Sequence, residues 1–180
     1  MKTSKLVKLA LLALVAWLMP HSTRAQDEKA EKLLSESSKA KTEFIKTDPS
    51  MAALFESSVG YVIFPKIGKG GFIVGGSGGD GILYEKGKSI GIVKTGQVTV
   101  GAQVGGQTYR EVIFFENQDA LDRMKQSKTE FSAQLSAVAV KSGASKNAKY
   151  TDGVSVFTQD LSGLMAEATV GGQKFKYTAF

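Results

Sequence analysis

The chain has 180 residues, 42% hydrophobic and 22% charged, with 20 glycines, one histidine and no cysteine. That length suits one domain, and the balance of apolar and charged residues belongs to a globular chain, not a disordered one. Without cysteine there is no disulfide framework, no thiolate nucleophile and no cysteine-held zinc or iron–sulfur site.

The formal net charge of +6 is unevenly placed. Lys2, Lys5 and Lys8 precede an apolar run from Leu9 to Met19, which is too short for an ordinary transmembrane helix and suits the apolar region of a secretory signal. Pro20 follows as a helix breaker, and Thr23-Arg24-Ala25 reads as a cleavage site. Residues 1–25 are therefore expected to be a signal peptide, and the protein an exported one, periplasmic or secreted, soluble or peripherally membrane-associated. From Gln26 onward the net charge is about +2, so bulk charge makes no case for nucleic acid. His21 and Trp17 fall within the leader. The remaining chain has no histidine, which removes Ser-His-Asp chemistry and histidine metal sites. No catalytic residue, metal or cofactor is expected.

Residues 26–58 read as a helical segment and 59–180 as a glycine-rich β domain, together one globular unit. Residues 27–47 suit a helix on which Ala30, Leu33, Leu34, Phe44 and Ile45 share an arc of about 120°. Ser37 and Lys41 interrupt that stripe. A lysine there fits an interfacial helix, its stem on apolar surface and its ammonium among headgroups; packing on the domain is the equal alternative. Asp48-Pro49 reads as a cap and first position for a second helix over Ser50–Ser57.

From Val59 the texture is strand. Fifteen of the 20 glycines lie between Gly60 and Gly106, separating short apolar runs such as VGYVIF, GILYE and SIGIV. Val98, Val100, Ala102 and Val104 alternate with Gln97, Thr99, Gly101 and Gln103, the pattern of a half-buried strand. Gly105-Gly106 reads as a hairpin turn. Asn117 is placed to cap a helix over QDALDRMKQSK with Ala120, Leu121 and Met124 inward. Strand texture resumes from Thr129 to Val140, breaks at SGASKNAK and returns as GVSVFT, LMAEATV and KFKYT. The order predicted is two helices, about six short strands, a helix and three or four more strands. The fold class is thus α+β: a mainly antiparallel β-barrel or sandwich with N-terminal helices and one inserted helix packed on it.

Some motif matches carry little. Gly76, Gly78 and Gly81 fit GxGxxG, but strand and turn follow instead of the helix that a pyrophosphate needs. Ser38 and Lys41 fit SxxK and Lys94-Thr95-Gly96 fits KTG, the latter reading as a turn; no SDN accompanies them. Asp80, Glu85, Glu111 and Glu116 offer carboxylate pairs without specific spacing. Lys66 and Lys69 flank the turn in FPKIGKGGF, and Lys141, Lys146 and Lys149 surround SGASKNAK. Such basic loops are either solvated or in contact with anionic headgroups.

The ordered motifs SVGYVIFPKIGKGGF, VGGSGGDGILYEKG and VTVGAQVGGQTYREVIFFENQDALD resemble the SYLF family of lipid-binding domains. FSAQLSAVAV and GVSVFTQDLSGLMAEATV continue the match. The resemblance implies an antiparallel β-barrel or sandwich with packed helices and no catalytic residues. It also implies binding to phosphoinositides or other anionic lipid, with actin binding in some members. Lys66, Lys69 and the helix residues Leu33, Leu34, Lys41, Phe44 and Ile45 are the candidate lipid-binding set, and anionic phospholipid or a membrane surface the expected partner. Two alternatives accompany this reading: a structural or protein-interaction domain of the cell envelope without lipid, and a small outer-membrane barrel.

Overall fold

The computed structural model describes residues 20–127, 130–131, 138–147 and 149–180. The apolar run Leu9–Met19, read above as part of a signal peptide, lies outside them. Helix α1 spans Pro20–Thr47, with Pro20 in its first turn, where the missing N–H of proline has no partner to lose. Up to Lys32 the chain forms a unit of its own, and Leu33–Phe180 forms a second. The second contains α2 (Met51–Ser57), β1 (Gly60–Glu85), β2 (Lys88–Phe115), α3 (Gln118–Lys125), β3 (Glu130–Phe131), β4 (Val138–Ala139), a 3-10 turn (Ala144–Asn147) and β5 (Val154–Ala179). Strand order is β1-β2-β5-β3, antiparallel, with β4 parallel to β5.

The expected run of many short strands is replaced by three strands of 26 to 28 residues. The glycine clusters read as turns lie within them. Gly105 and Gly106 pair with Gly71 and Gly70 on one side and with Met165 and Leu164 on the other. Lys94-Thr95-Gly96 and the Gly76–Gly81 cluster are likewise mid-strand. The β1–β2 turn is Lys86-Gly87, both at positive φ (50° and 77°), as a tight hairpin of primed type requires. Of the strand predicted from Thr129 to Val140, β3 and β4 are the described parts.

What the glycines permit is a fold of the sheet upon itself. The first and last thirds of β1 run antiparallel in close contact: Tyr61 stacks on Tyr84 at 4.9 Å, and Lys86 N donates to Val59 O at 3.2 Å. A Cβ on Gly81 would lie 2.7 Å from Ile63 O and 2.6 Å from the Phe64 ring, an approach only glycine allows. The same bend in β2 and β5 brings Phe64 to 6.0 Å from Phe175. Of the two architectures expected, the sheet adopts the layered one and, among the described residues, is not closed into a barrel.

The first layer is buried on both faces, so its strands read as continuous apolar runs. Val62, Phe64, Ile113 and Phe115 face the second layer, joining Leu83, Val93 and Phe175 and the α3 residues Ala120, Leu121 and Met124. Tyr61, Ile63, Val112, Phe114 and Phe157 face the helices, meeting Ala40 and Phe44 of α1 and Met51 and Phe55 of α2. Asn117 caps α3 as expected, its side-chain oxygen accepting from Ala120 N at 3.0 Å. Asp48 does not cap α2 alone. Its carboxylate accepts from Ser50 N and from both the N–H and the hydroxyl of Ser145, tying α2 to the 3-10 turn. Burial works to raise its pKa, but these hydrogen bonds prevail and hold it far below the usual carboxylate range.

Candidate functional site

The α1 residues singled out in the sequence come together on the sheet. Phe44 is fully buried in the helix-side cluster, Leu33 is buried, and Leu34 and Ile45 are half-buried. The two interruptions of the stripe have partners there. Ser37 Oγ donates to Ile63 O at 3.4 Å. Lys41 Nζ donates to Tyr61 Oη at 3.1 Å and lies 4.8 Å from the Phe55 ring centroid and 5.1 Å from that of Tyr61, contacts that favour a cation against aromatic faces. Lys66 is exposed and lines a groove with Glu36, Lys39, Glu43 and Arg110, where carboxylates offset part of the positive charge. Lys69 sits nearer the bend, opposite Gln107. Lys141, Lys146 and Lys149 are exposed.

The carboxylates do not converge. Glu111 is buried between the layers, where it accepts from Gln173 Nε2 at 2.9 Å; that nitrogen also donates to Thr95 Oγ1 at 3.0 Å. Burial pushes the Glu111 carboxyl up to about 7, the Gln173 hydrogen bond countering only part of it. Glu85 pairs with Lys125 at 2.8 Å, a hydrogen bond that holds its carboxyl below the usual range. Among the described residues no three His, Cys, Asp or Glu side chains form a metal site, and no helix is long and apolar enough to cross a membrane.

The bend is organised by polar residues on the inside. Thr99 and Gln103 are buried. Thr99 Oγ1 donates to Gln103 Oε1 at 2.9 Å, and Gln103 Nε2 donates to Ile73 O at 3.1 Å. A register shift between Phe72 and Val74 places Ile73 at φ 64°, a left-handed conformation costly for a β-branched residue. Gln103 thus secures the carbonyl of the most strained position in the bend.

With the polar residues inside, the apolar ones face out. Val98, Val100 and Val104 are 69%, 59% and 57% exposed, and Phe72, Ile73 and Val74 between 58% and 72%. The alternation read from 97 to 104 is present, but its buried face is Thr99 and Gln103, the reverse of the usual arrangement. Register joins the exposed residues into one stripe: Phe72 opposes Val104, and Val74 opposes Val100. In phase with the valines along the same face are Lys94 on β2 and, across from it, Lys176 on β5, with Lys174 one row nearer the stripe. All three lysines are exposed. Lys94 and Lys176 are direct cross-strand partners, a like-charge pairing that disfavours the sheet; Asp80 completes the row on β1. Sequence reasoning missed this surface because alternation marks a half-buried strand without saying which face is buried. One signal was present, since Lys94 falls in phase with Val98 and marks that face as open to water.

Residues 96–178 match the family model of Ysc84, described as "Las17-binding protein actin regulator". The chain is also 27% identical over 135 residues to Beta cell expansion factor A of Aeromonas veronii, covering 71% of this chain and 49% of that protein. The chain thus spans about half the length of this curated relative. The SYLF (Ysc84) resemblance is borne out over the matched stretch, which runs from the valine stripe on β2 through α3 to the lysines of β5.

Proposed function

We propose that this chain is a non-enzymatic, exported SYLF-type domain that docks on anionic lipid surfaces. One observation carries the reading: Lys94 and Lys176 oppose each other on an exposed sheet face, with Lys174 beside them. Asp80 opposes Lys94 from β1 and offsets part of this charge, yet the row with Lys174 keeps an excess of positive charge that an anionic surface neutralises, each basic residue near a charged leaflet contributing about 1 kcal/mol. Because α1 meets the sheet through Phe44 and its neighbours, docking is assigned to the sheet face, with Lys66, Lys69 and α1 in secondary roles. Sedimentation with vesicles of phosphatidylcholine alone, or mixed with phosphatidylglycerol, at low and high salt tests this. Binding is expected only to the mixed vesicles and to weaken with salt. The double change Lys94→Gln with Lys176→Gln should reduce it by about 2 kcal/mol, roughly thirtyfold, with little change in thermal stability, since it removes both the Lys94–Lys176 repulsion and the Lys94–Asp80 attraction. Equal binding to neutral vesicles, or indifference to the double change, would sink the reading.

A further inference from the structure

Building on the anionic-lipid reading, we infer that the stripe of Phe72, Ile73, Val74, Val98, Val100 and Val104 enters the hydrocarbon of one leaflet while the lysine row remains at the headgroups. Charge alone would hold a protein above a bilayer. This face adds contiguous apolar surface in line with the charge, with Lys174 lying one row beyond Val98 and its partner Gly172. An apolar band bordered by cations is the pattern of a surface that sits at the membrane interface.

Dimensions set the depth. From Val98 to Val104 the strand advances about 20 Å, against a hydrocarbon core of about 30 Å. The stripe therefore lodges in one leaflet and does not span. Backbone polarity sets the same limit. The valines sit on β2, which is paired to β5 along this whole stretch and to β1 at Val98, Val100 and Val104, the register shift leaving only residues 101–103 without a partner on β1, so most of its N–H and C=O groups need no water. Among the described residues the outer side of β1 has no strand beside it in the sheet order, and an open edge is not tolerated deep in hydrocarbon.

Shape favours a bilayer over a protein partner. The stripe lies on the outer side of the bend, and the irregularity between Phe72 and Val74 leaves three consecutive residues exposed. This is a protrusion, which a fluid hydrocarbon surrounds at no cost in shape; a protein would need a matching cleft. Ile73 fits the same account. Its φ of 64° suits glycine, yet the position holds a large apolar side chain, 58% exposed, that adds nothing to the core.

The native chain lacks cysteine, so single labels can be placed without background. Full-length Phe72→Cys, Val100→Cys and Lys86→Cys variants, each carrying an environment-sensitive fluorophore, are mixed with phosphatidylcholine–phosphatidylglycerol vesicles containing doxyl-labelled lipid. The labels at 72 and 100 should shift to the blue and be quenched, and the label at the hairpin turn should not. Val98→Ser, Val100→Ser and Val104→Ser together should weaken vesicle binding roughly tenfold with unchanged circular dichroism, because these side chains are outside the core. Ile73→Gly should melt no lower than the parent, since it relieves the backbone, while binding vesicles a few-fold more weakly.

Sedimentation with vesicles while all three labels stay unquenched would overturn insertion and leave the electrostatic reading standing. No sedimentation at all would overturn both. A concentration-dependent dimer that the three serines abolish, with no quenching, would assign the stripe to a second copy of the chain and equally overturn insertion.

Discussion

Glu111 is a carboxylic acid held between two sheet layers, with Gln173 as its donor and Thr95 behind that amide. Its pKa rises from 4.5 to about 7 on folding. The folded state therefore keeps a proton that the unfolded chain releases, and stability falls as pH rises from about 4.5 to 7, levelling above that. The difference amounts to about 3 kcal/mol. Glu111→Gln retains an oxygen for Gln173 and removes the titration. Denaturant melts of both proteins at pH 5 and pH 8 check this: the variant's advantage should grow from small to about 3 kcal/mol, and an advantage that does not change with pH would place the titrating group elsewhere. Nothing local distinguishes Glu111 from Asp80 or Glu116 in the sequence. Its isolation depends on Gln173, which lies 62 positions away and becomes a neighbour only when the sheet bends. Gln103 is similar. It follows the alternation faithfully, but its contact with the Ile73 carbonyl requires a strained residue thirty positions earlier.

At the scale of elements, α1 shows how far an apolar stripe can be taken. The arc of Leu33, Leu34, Phe44 and Ile45 identifies a face that avoids water, and two environments, a protein layer or a bilayer, satisfy it equally. Partners separate them: Phe44 meets the first layer's Phe114 cluster, and Lys41 reaches Tyr61 and the faces of two rings. Phe44→Ala should accordingly cost about 3–5 kcal/mol, read as a lower urea midpoint with little change in vesicle affinity. A variant of unchanged stability and much weaker lipid binding would return α1 to the membrane. The strands teach the complementary lesson. Glycine pairs such as Gly105-Gly106 carry a local preference for turns, and they sit mid-strand because partners on both sides supply the ladder. Period two survives this misreading of length. Which of the two faces is buried does not follow from period two.

For the molecule as a whole, the leader belongs to the exported reading, with the intact mass of the protein recovered from an expressing bacterium as its check. A chain starting at Gln26 is expected; one retaining Met1 to Ala25 would remove the secretion argument. Composition and local pattern decide a good deal without any structure: no thiol chemistry, no histidine beyond His21, an α+β chain with an inserted helix capped at Asn117. These conclusions need only local information, since they concern which side chains exist, how they repeat and which residue ends a helix. The ordered motifs also suffice for the SYLF resemblance, because ordered motifs are themselves a property of the sequence. Three long strands instead of many short ones, and polar residues inside the bend, needed the tertiary structure. Glycine makes either a turn or a bend possible and selects neither. The choice falls to contacts between segments far apart in the chain, where Phe64 meets Phe175 and Tyr61 meets Tyr84. Once those contacts fold the sheet over on itself, the space at the bend is lined by Thr99 and Gln103, and the valines that alternate with them are left facing outward.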